Sequence, residues 1–208
     1  MKINNYLEKF QIAAILKKNS ENDKFSGKIN ELCKQFKQEN NLIDIIKIFN
    51  KDKTLKMQEA SAYYLENYKF IIGTKENIQD YKNNLNLLKK YNISCAPKIE
   101  QTVSNKNKQY IMLVMKLPEK ESVMKNYTAN PNMVDTLAKC QFINELENMA
   151  RSSKNYNPLI TQEPSSIKVT SDGRLYVSDW NEMDKFANDK EQAQYFKQLR
   201  KLLNLILI

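Results

Sequence analysis

A chain of 208 residues, 41% hydrophobic and 27% charged, can bury a core of its own, is short for two full domains, and is unlike a wholly disordered polymer. It carries 33 Lys and Arg against 24 Asp and Glu, a formal net charge of +9, with no histidine, three glycines and three cysteines. Those absences exclude Ser-His and Cys-His catalysis, histidine-ligated metals, and Gly-rich phosphate loops of the Walker or dinucleotide kind.

Met1-Lys2-Ile3-Asn4-Asn5 opens into a polar, charged segment, so no secretory signal peptide is expected. No apolar run approaches the roughly 18 residues of a membrane span. Residues 3 to 50 have helical spacing. Tyr6, Phe10 and Ile12–Leu16 give one apolar stripe. After a polar break at Asn19–Ser26, Ile29, Leu32-Cys33 and Phe36 give a second, and Leu42, Ile45-Ile46 and Ile48-Phe49 a third. Such faces pack against the remainder of a domain or dock a partner. Two strands follow, Lys56–Leu65 and Tyr68–Thr74, rich in aromatic and β-branched residues and joined at Glu66-Asn67. A helix from Lys75 or Glu76 to Lys90 puts Ile78, Tyr81, Leu85 and Leu88 on one face. Strands Lys98–Val103 and Tyr110–Lys116 enclose a hairpin tip at Ser104–Lys108. A loop with Asn130-Pro131 opens a helix over Met133–Arg151, and a last helix is expected from about Lys190 to Ile208, its apolar end docked into a core.

Cys33, Cys95 and Cys140 are odd in number and far apart, which favours reduced, buried thiols over a disulfide framework. Without histidine they cannot complete a zinc site unless carboxylates are recruited. The lysines are scattered, with no Lys/Arg block to make a nucleic-acid arm. They are either a solvated surface or a match for an acidic partner: nucleic acid, anionic lipid or an acidic protein face. Tyr63, Tyr64, Tyr68 and Phe70 are candidate stacking platforms for bases, against the alternative of packing between sheet and helix.

The stretch Pro164–Asn181 is the most informative. A short strand meets Asp172-Gly173, a strong hairpin signal because Gly accepts a positive φ, and the second strand ends at Asp179-Trp180-Asn181. This order resembles the protein kinase stretch from the catalytic loop to the metal-binding Asp-Phe-Gly. Asp179-Trp180-Asn181 stands where the family has Asp-Phe-Gly, Pro164-Ser165-Ser166 where it has Pro-x-Asn, and Leu159-Ile160-Thr161 where it has His-Arg-Asp. The earlier order strand, strand, helix, strand, strand is similar to the family's small lobe without its first strand, which is sought in Ile46–Leu55. Leu117-Pro118-Glu119 resembles the hinge between lobes. The chain ends at Ile208, too soon after Asn181 for a full large lobe, which resembles the minimal kinase and pseudokinase effectors that pathogenic bacteria inject into host cells.

The resemblance implies an α+β, protein kinase-like fold in three parts: a helical amino-terminal extension over 1–50, a small antiparallel-sheet lobe over 51–117, and a truncated, mainly helical lobe over 118–208. It implies ATP and magnesium as cofactors to test, neither fixed by the sequence. Phosphoryl transfer needs a phosphate cradle, a lysine held by a carboxylate, metal-holding Asp and Asn, and an Asp that orients the hydroxyl. Met57–Ala62 stands in the cradle's place without glycine. The strand lysine falls on Gly73, with Lys69 and Lys75 as neighbours; Lys75, two residues on and so on the same strand face, is the substitute chosen. Its helix partner falls near Asn84, which is uncharged. Glu163 is the carboxylate near the catalytic position, Ser166 replaces the metal-binding Asn, and Asp179 remains as the magnesium ligand or as an acid capping the turn. Three readings follow. The first is a pseudokinase that docks a protein partner with an acidic surface, in the cytoplasm or secreted into a host cell. The second is a nucleotide-dependent transferase of phosphoryl, adenylyl or related type using Lys75, Glu163, Ser166 and Asp179. The third is a basic nucleic-acid-binding protein.

Overall fold

Period-2 alternation on two central strands decides which helices cover which face of the first sheet. The computed structural model describes residues 25–59 and 62–205; the stripe at Tyr6–Leu16, the residues Ala60-Ser61 and the tail beyond Leu205 lie outside the described residues. Five strands, β1 (Lys56–Glu59), β2 (Ala62–Leu65), β3 (Tyr68–Thr74), β4 (Lys98–Ser104) and β5 (Tyr110–Lys116), form an antiparallel sheet in the order β1-β2-β3-β5-β4. On β3, Phe70 and Ile72 point to one face and Ile71 to the other; on β5, Met112 and Val114 oppose Ile111, Leu113 and Met115. Both faces are therefore apolar, and both are covered.

The outer face is covered by α1 (residues 25–38) and α2 (Leu42–Lys51). Leu32, Phe36, Ile45 and Phe49 are buried against Phe70, Ile72, Met112 and Val114, each side chain contributing roughly 1.5–3 kcal/mol relative to exposure. Phe25 packs on the same cluster, so residues 25 and 26 are helical and the polar break is shorter than its composition suggests. Asn41 caps α2, its side-chain oxygen accepting the Asp44 N–H at 2.9 Å. The Lys28 ammonium meets Asp52 at 2.7 Å. At the β4–β5 turn the buried Asn105 donates to the carbonyls of Glu39 and Asn40, tying the hairpin tip to the α1–α2 connection.

The first strand is not in Ile46–Leu55, most of which is α2 and its cap: Ile45 and Phe49, four apart, bury as a helical pair. Instead the single strand expected over Lys56–Leu65 is a hairpin of β1 and β2, with Lys56 opposite Tyr64 and Glu59 opposite Ala62. The inner face of the sheet receives α3 (Lys75–Lys90), capped by Thr74 and buried through Ile78, Tyr81, Leu85 and Leu88 as its spacing predicts. Its last turn closes with Asn92 at φ 54, where Asn92 N–H reaches the Lys89 carbonyl and Ile93 N–H the Leu88 carbonyl, a Schellman close with asparagine in the role usually taken by glycine.

The second half packs onto that inner face as part of one continuous core. It contains α4 (Thr136–Ser153), capped by Asp135 and starting three residues after the expected Met133, because Pro131–Met133 is a separate 3-10 turn. It adds α5 (Leu159–Gln162), α6 (Asp189–Leu202) and two small sheets. One sheet joins β6 (Lys125–Asn126), β8 (Ile167–Val169) and β9 (Leu175–Val177); the other pairs β7 (Asn155–Tyr156) with β10 (Asp184–Lys185). The final helix stops at Leu202 rather than running to Ile208. Asn204, at φ 54, repeats the Schellman close of α3, and the fully buried Leu203 docks with its carbonyl on the Tyr127 hydroxyl. The architecture is α+β, and no helix among the described residues is long and apolar enough to cross a membrane.

Candidate functional site

The β8–β9 hairpin carries the candidate residues to one end of the second sheet. Val169 pairs with Leu175 and Ile167 with Val177, so the loop is longer than a two-residue Asp-Gly turn. Thr170 N–H donates to the Arg174 carbonyl, Arg174 N–H donates to the Thr170 hydroxyl oxygen, Gly173 N–H closes on the Thr170 carbonyl, and Gly173 takes φ +80, the usual three-residue hairpin with glycine at the left-handed position. A Cβ at Gly173 would lie 2.9 Å from the Met133 carbonyl oxygen, so the position requires glycine for space as well as for φ. The Glu119 carboxylate accepts from Ser171 N–H and Oγ at 2.8 and 2.5 Å, fastening the connection after β5 to this turn.

At the other end of the hairpin Ser166 immediately precedes Ile167, and Asp179 follows its pair partner Val177 by two residues. Asp179 is half-buried, and its Oδ1 accepts the Asn181 N–H at 2.9 Å, so the carboxylate caps the turn that follows β9. Trp180 is completely buried and donates its indole N–H to the Val177 carbonyl at 3.0 Å. Two asparagines hold this segment from outside. Asn84 of α3 donates to the carbonyls of Trp180 and Asn181 at 3.0 and 2.9 Å. Asn157, 1% exposed, donates to the Asp179 carbonyl at 2.8 Å while accepting the Leu159 N–H and, on its own carbonyl, the Tyr195 hydroxyl.

The lysine brought to this place is Lys69. It is 2% exposed, its ammonium lies 5.7 Å from the centre of the Tyr64 ring, and it donates to the Ser178 carbonyl at 3.4 Å. Lys75, the substitute chosen from the sequence, is exposed in the first turn of α3, its N–H on the Gln109 carbonyl. Strand parity allows both, but six residues of strand place them roughly 20 Å apart. Ser166 Oγ donates to the Leu159 carbonyl at 3.5 Å, and Thr161 to the Pro158 carbonyl. Glu163 is exposed at the end of α5, its backbone engaged with Leu159 and Ser166. Among the described residues no group of three acidic or cysteine side chains is placed to hold a metal ion.

Beside Lys69, Tyr64 from β2 and Tyr176 from β9 meet in a buried cluster with Ala62, Leu117 and Met124. Burial, with Tyr81 and Glu121 close by, pushes the Tyr176 hydroxyl well above the ordinary tyrosine range, and that hydroxyl has no hydrogen-bond partner among the described residues. Tyr63, Tyr64 and Phe70 are buried, so these aromatic side chains present no face on which a base would stack. Asn84, uncharged at the position where a lysine's acidic partner is expected, uses its amide as a backbone clamp instead. Asn157 carries one signal in the sequence, its place just before Pro158, where an asparagine side chain readily caps the following turn.

No family model and no curated protein matches this chain. Among solved structures, WbdD in co-crystal with the kinase inhibitor LY294002 aligns with a TM-score of 0.43 at 18% identity, covering 73% of this chain and 38% of that one. A second structure of WbdD gives 0.41 and 17%, covering 71% and 37%. The chain thus spans well under half the length of those WbdD chains.

Proposed function

We propose that this chain is a kinase-like protein that has lost phosphoryl transfer and acts as a binding module for a protein partner. The observation that carries the reading is the buried cluster of Tyr64, Tyr176, Leu117 and Met124 beside Lys69. A nucleotide between β2 and β9 would have to displace two tyrosines with relative exposures of 5% and 1%, at a cost of several kcal/mol in lost burial. The neighbouring groups support the same reading. Lys69 faces a backbone carbonyl, Ser166 is turned onto Leu159, and Asp179 is engaged in capping. The residues present do not fit ATP with magnesium. The net charge of +9 favours an acidic partner and fast encounter at low salt.

A second reading, a nucleotide-dependent transferase of altered type, draws on one observation: a buried lysine lies against the segment that carries Asp179. The two readings separate in a label-transfer assay with ATP carrying label on the α- or the γ-phosphate, in magnesium or manganese. The binding-module reading expects no label on the protein or on a generic acceptor. Transfer that Asp179→Ala abolishes would replace it with the transferase.

A further inference from the structure

The rear of α3 and the start of β4 enclose a groove of about 630 Å³, away from Lys69 and Asp179. We propose that this groove docks an acidic segment of the partner protein, with apolar side chains on its floor and carboxylates on its rim. The proposal rests on the binding-module reading and gives that module its surface. Leu85, Leu88 and Ile93 form the floor, and all three belong to the core. Lys82 and Lys89 stand seven residues apart, hence on one face of α3, and Lys98 faces the groove from β4. None of the three pairs with a carboxylate among the described residues, and Glu100 is the single acid in the lining.

The groove is also preformed. Asn92 closes α3 in the left-handed conformation, Ile93 N–H holds the Leu88 carbonyl at 3.0 Å, and Ser94 is fixed to Glu145 of α4 through N–H and Oγ at 2.7 and 2.8 Å. Walls fixed before binding reduce the ordering cost of an incoming peptide, and the volume suits several side chains. Charge selects among occupants. The chain's own residues 1–24 hold five lysines against three acids, so the lysine rim disfavours them. The lining has no aromatic ring to stack a base, which disfavours single-stranded nucleic acid.

The test uses the full chain and a fluorescent 15-residue peptide of alternating Asp or Glu with Leu or Phe. A Lys-containing peptide with the same apolar residues and phosphatidylserine vesicles serve as comparators. The acidic peptide is expected to bind, to lose about tenfold in affinity at high salt, and to lose at least about tenfold in a Lys82→Glu/Lys89→Glu/Lys98→Glu variant of unchanged melting temperature. If that variant does not fold, Lys89→Glu and Lys98→Glu, each of an exposed side chain, read the same loss singly. Absence of binding, equal binding of the Lys peptide, an affinity indifferent to charge reversal, tighter binding after removal of residues 1–24, or charge reversal acting on vesicles alone would each overturn the proposal. Label transfer from ATP is read on the same preparations: transfer overturns the binding-module reading itself, whereas silent peptides without transfer overturn only the groove.

Discussion

Tyr176 bears a hydroxyl that is buried and lacks a hydrogen-bond partner among the described residues, on a ring that fills the space beside Lys69. An unmade buried hydrogen bond costs about 1–3 kcal/mol, and removing the oxygen keeps the ring. Tyr176→Phe is therefore expected to leave stability unchanged or raise it by about 1 kcal/mol in urea denaturation. A loss beyond 1 kcal/mol would mean that the hydroxyl is satisfied in solution. The residue scale is also where the sequence was least legible. Asp179 stands out because Asp-Gly marks the hairpin leading to it. Lys69 does not, because residues 69, 71, 73 and 75 share one strand face and spacing alone cannot say which of them is buried.

Two elements clamp the segment after β9: α3 through Asn84 and the loop before α5 through Asn157. Asn157 is the more deeply placed, and its loss strands the Asp179 carbonyl and the Leu159 N–H together. Asn157→Ala is expected to cost about 2–3 kcal/mol. It should also shift the emission of Trp180, the one tryptophan of the chain, to longer wavelength as that segment loosens. An unmoved spectrum with unchanged stability would deny the clamp. Most elements were legible because their signals are local: the α3 face repeats at Ile78, Tyr81, Leu85 and Leu88, and alternation marks β5. The β1–β2 hairpin was not, because the sequence around Ala60-Ser61 carries no Gly, Pro or Asn to mark a turn. The end of α6 was hidden for a related reason. Asn204 takes the left-handed cap, and an asparagine in an apolar tail reads as one more helical residue.

At the scale of the whole molecule the sheet is enclosed from both sides, so α1 and α2 are structural cover for Phe70, Ile72, Met112 and Val114. The cores also hold acids that ionise only at a cost. Burial pushes up the Cys95 thiol and the Tyr176 and Tyr195 hydroxyls. A group raised in the folded state gives stability that is complete below its unfolded pKa, about 8.5 for a thiol and about 10 for a phenol. That stability falls as the pH climbs toward the folded value. The urea midpoint is accordingly expected to fall steadily above about pH 9, and a flat midpoint to pH 11 would contradict the burial of these groups.

Tyr64 and Tyr176 fill the space beside Lys69, and on the proposed reading that space is closed to nucleotide. Calorimetric titration of the full chain with millimolar ATP and magnesium tests it most directly, with Asp179→Ala alongside. The expected result is no saturable heat and no change of melting temperature in either protein. Saturable binding to the wild type that Asp179→Ala removes would contradict the claim and return the site to catalysis.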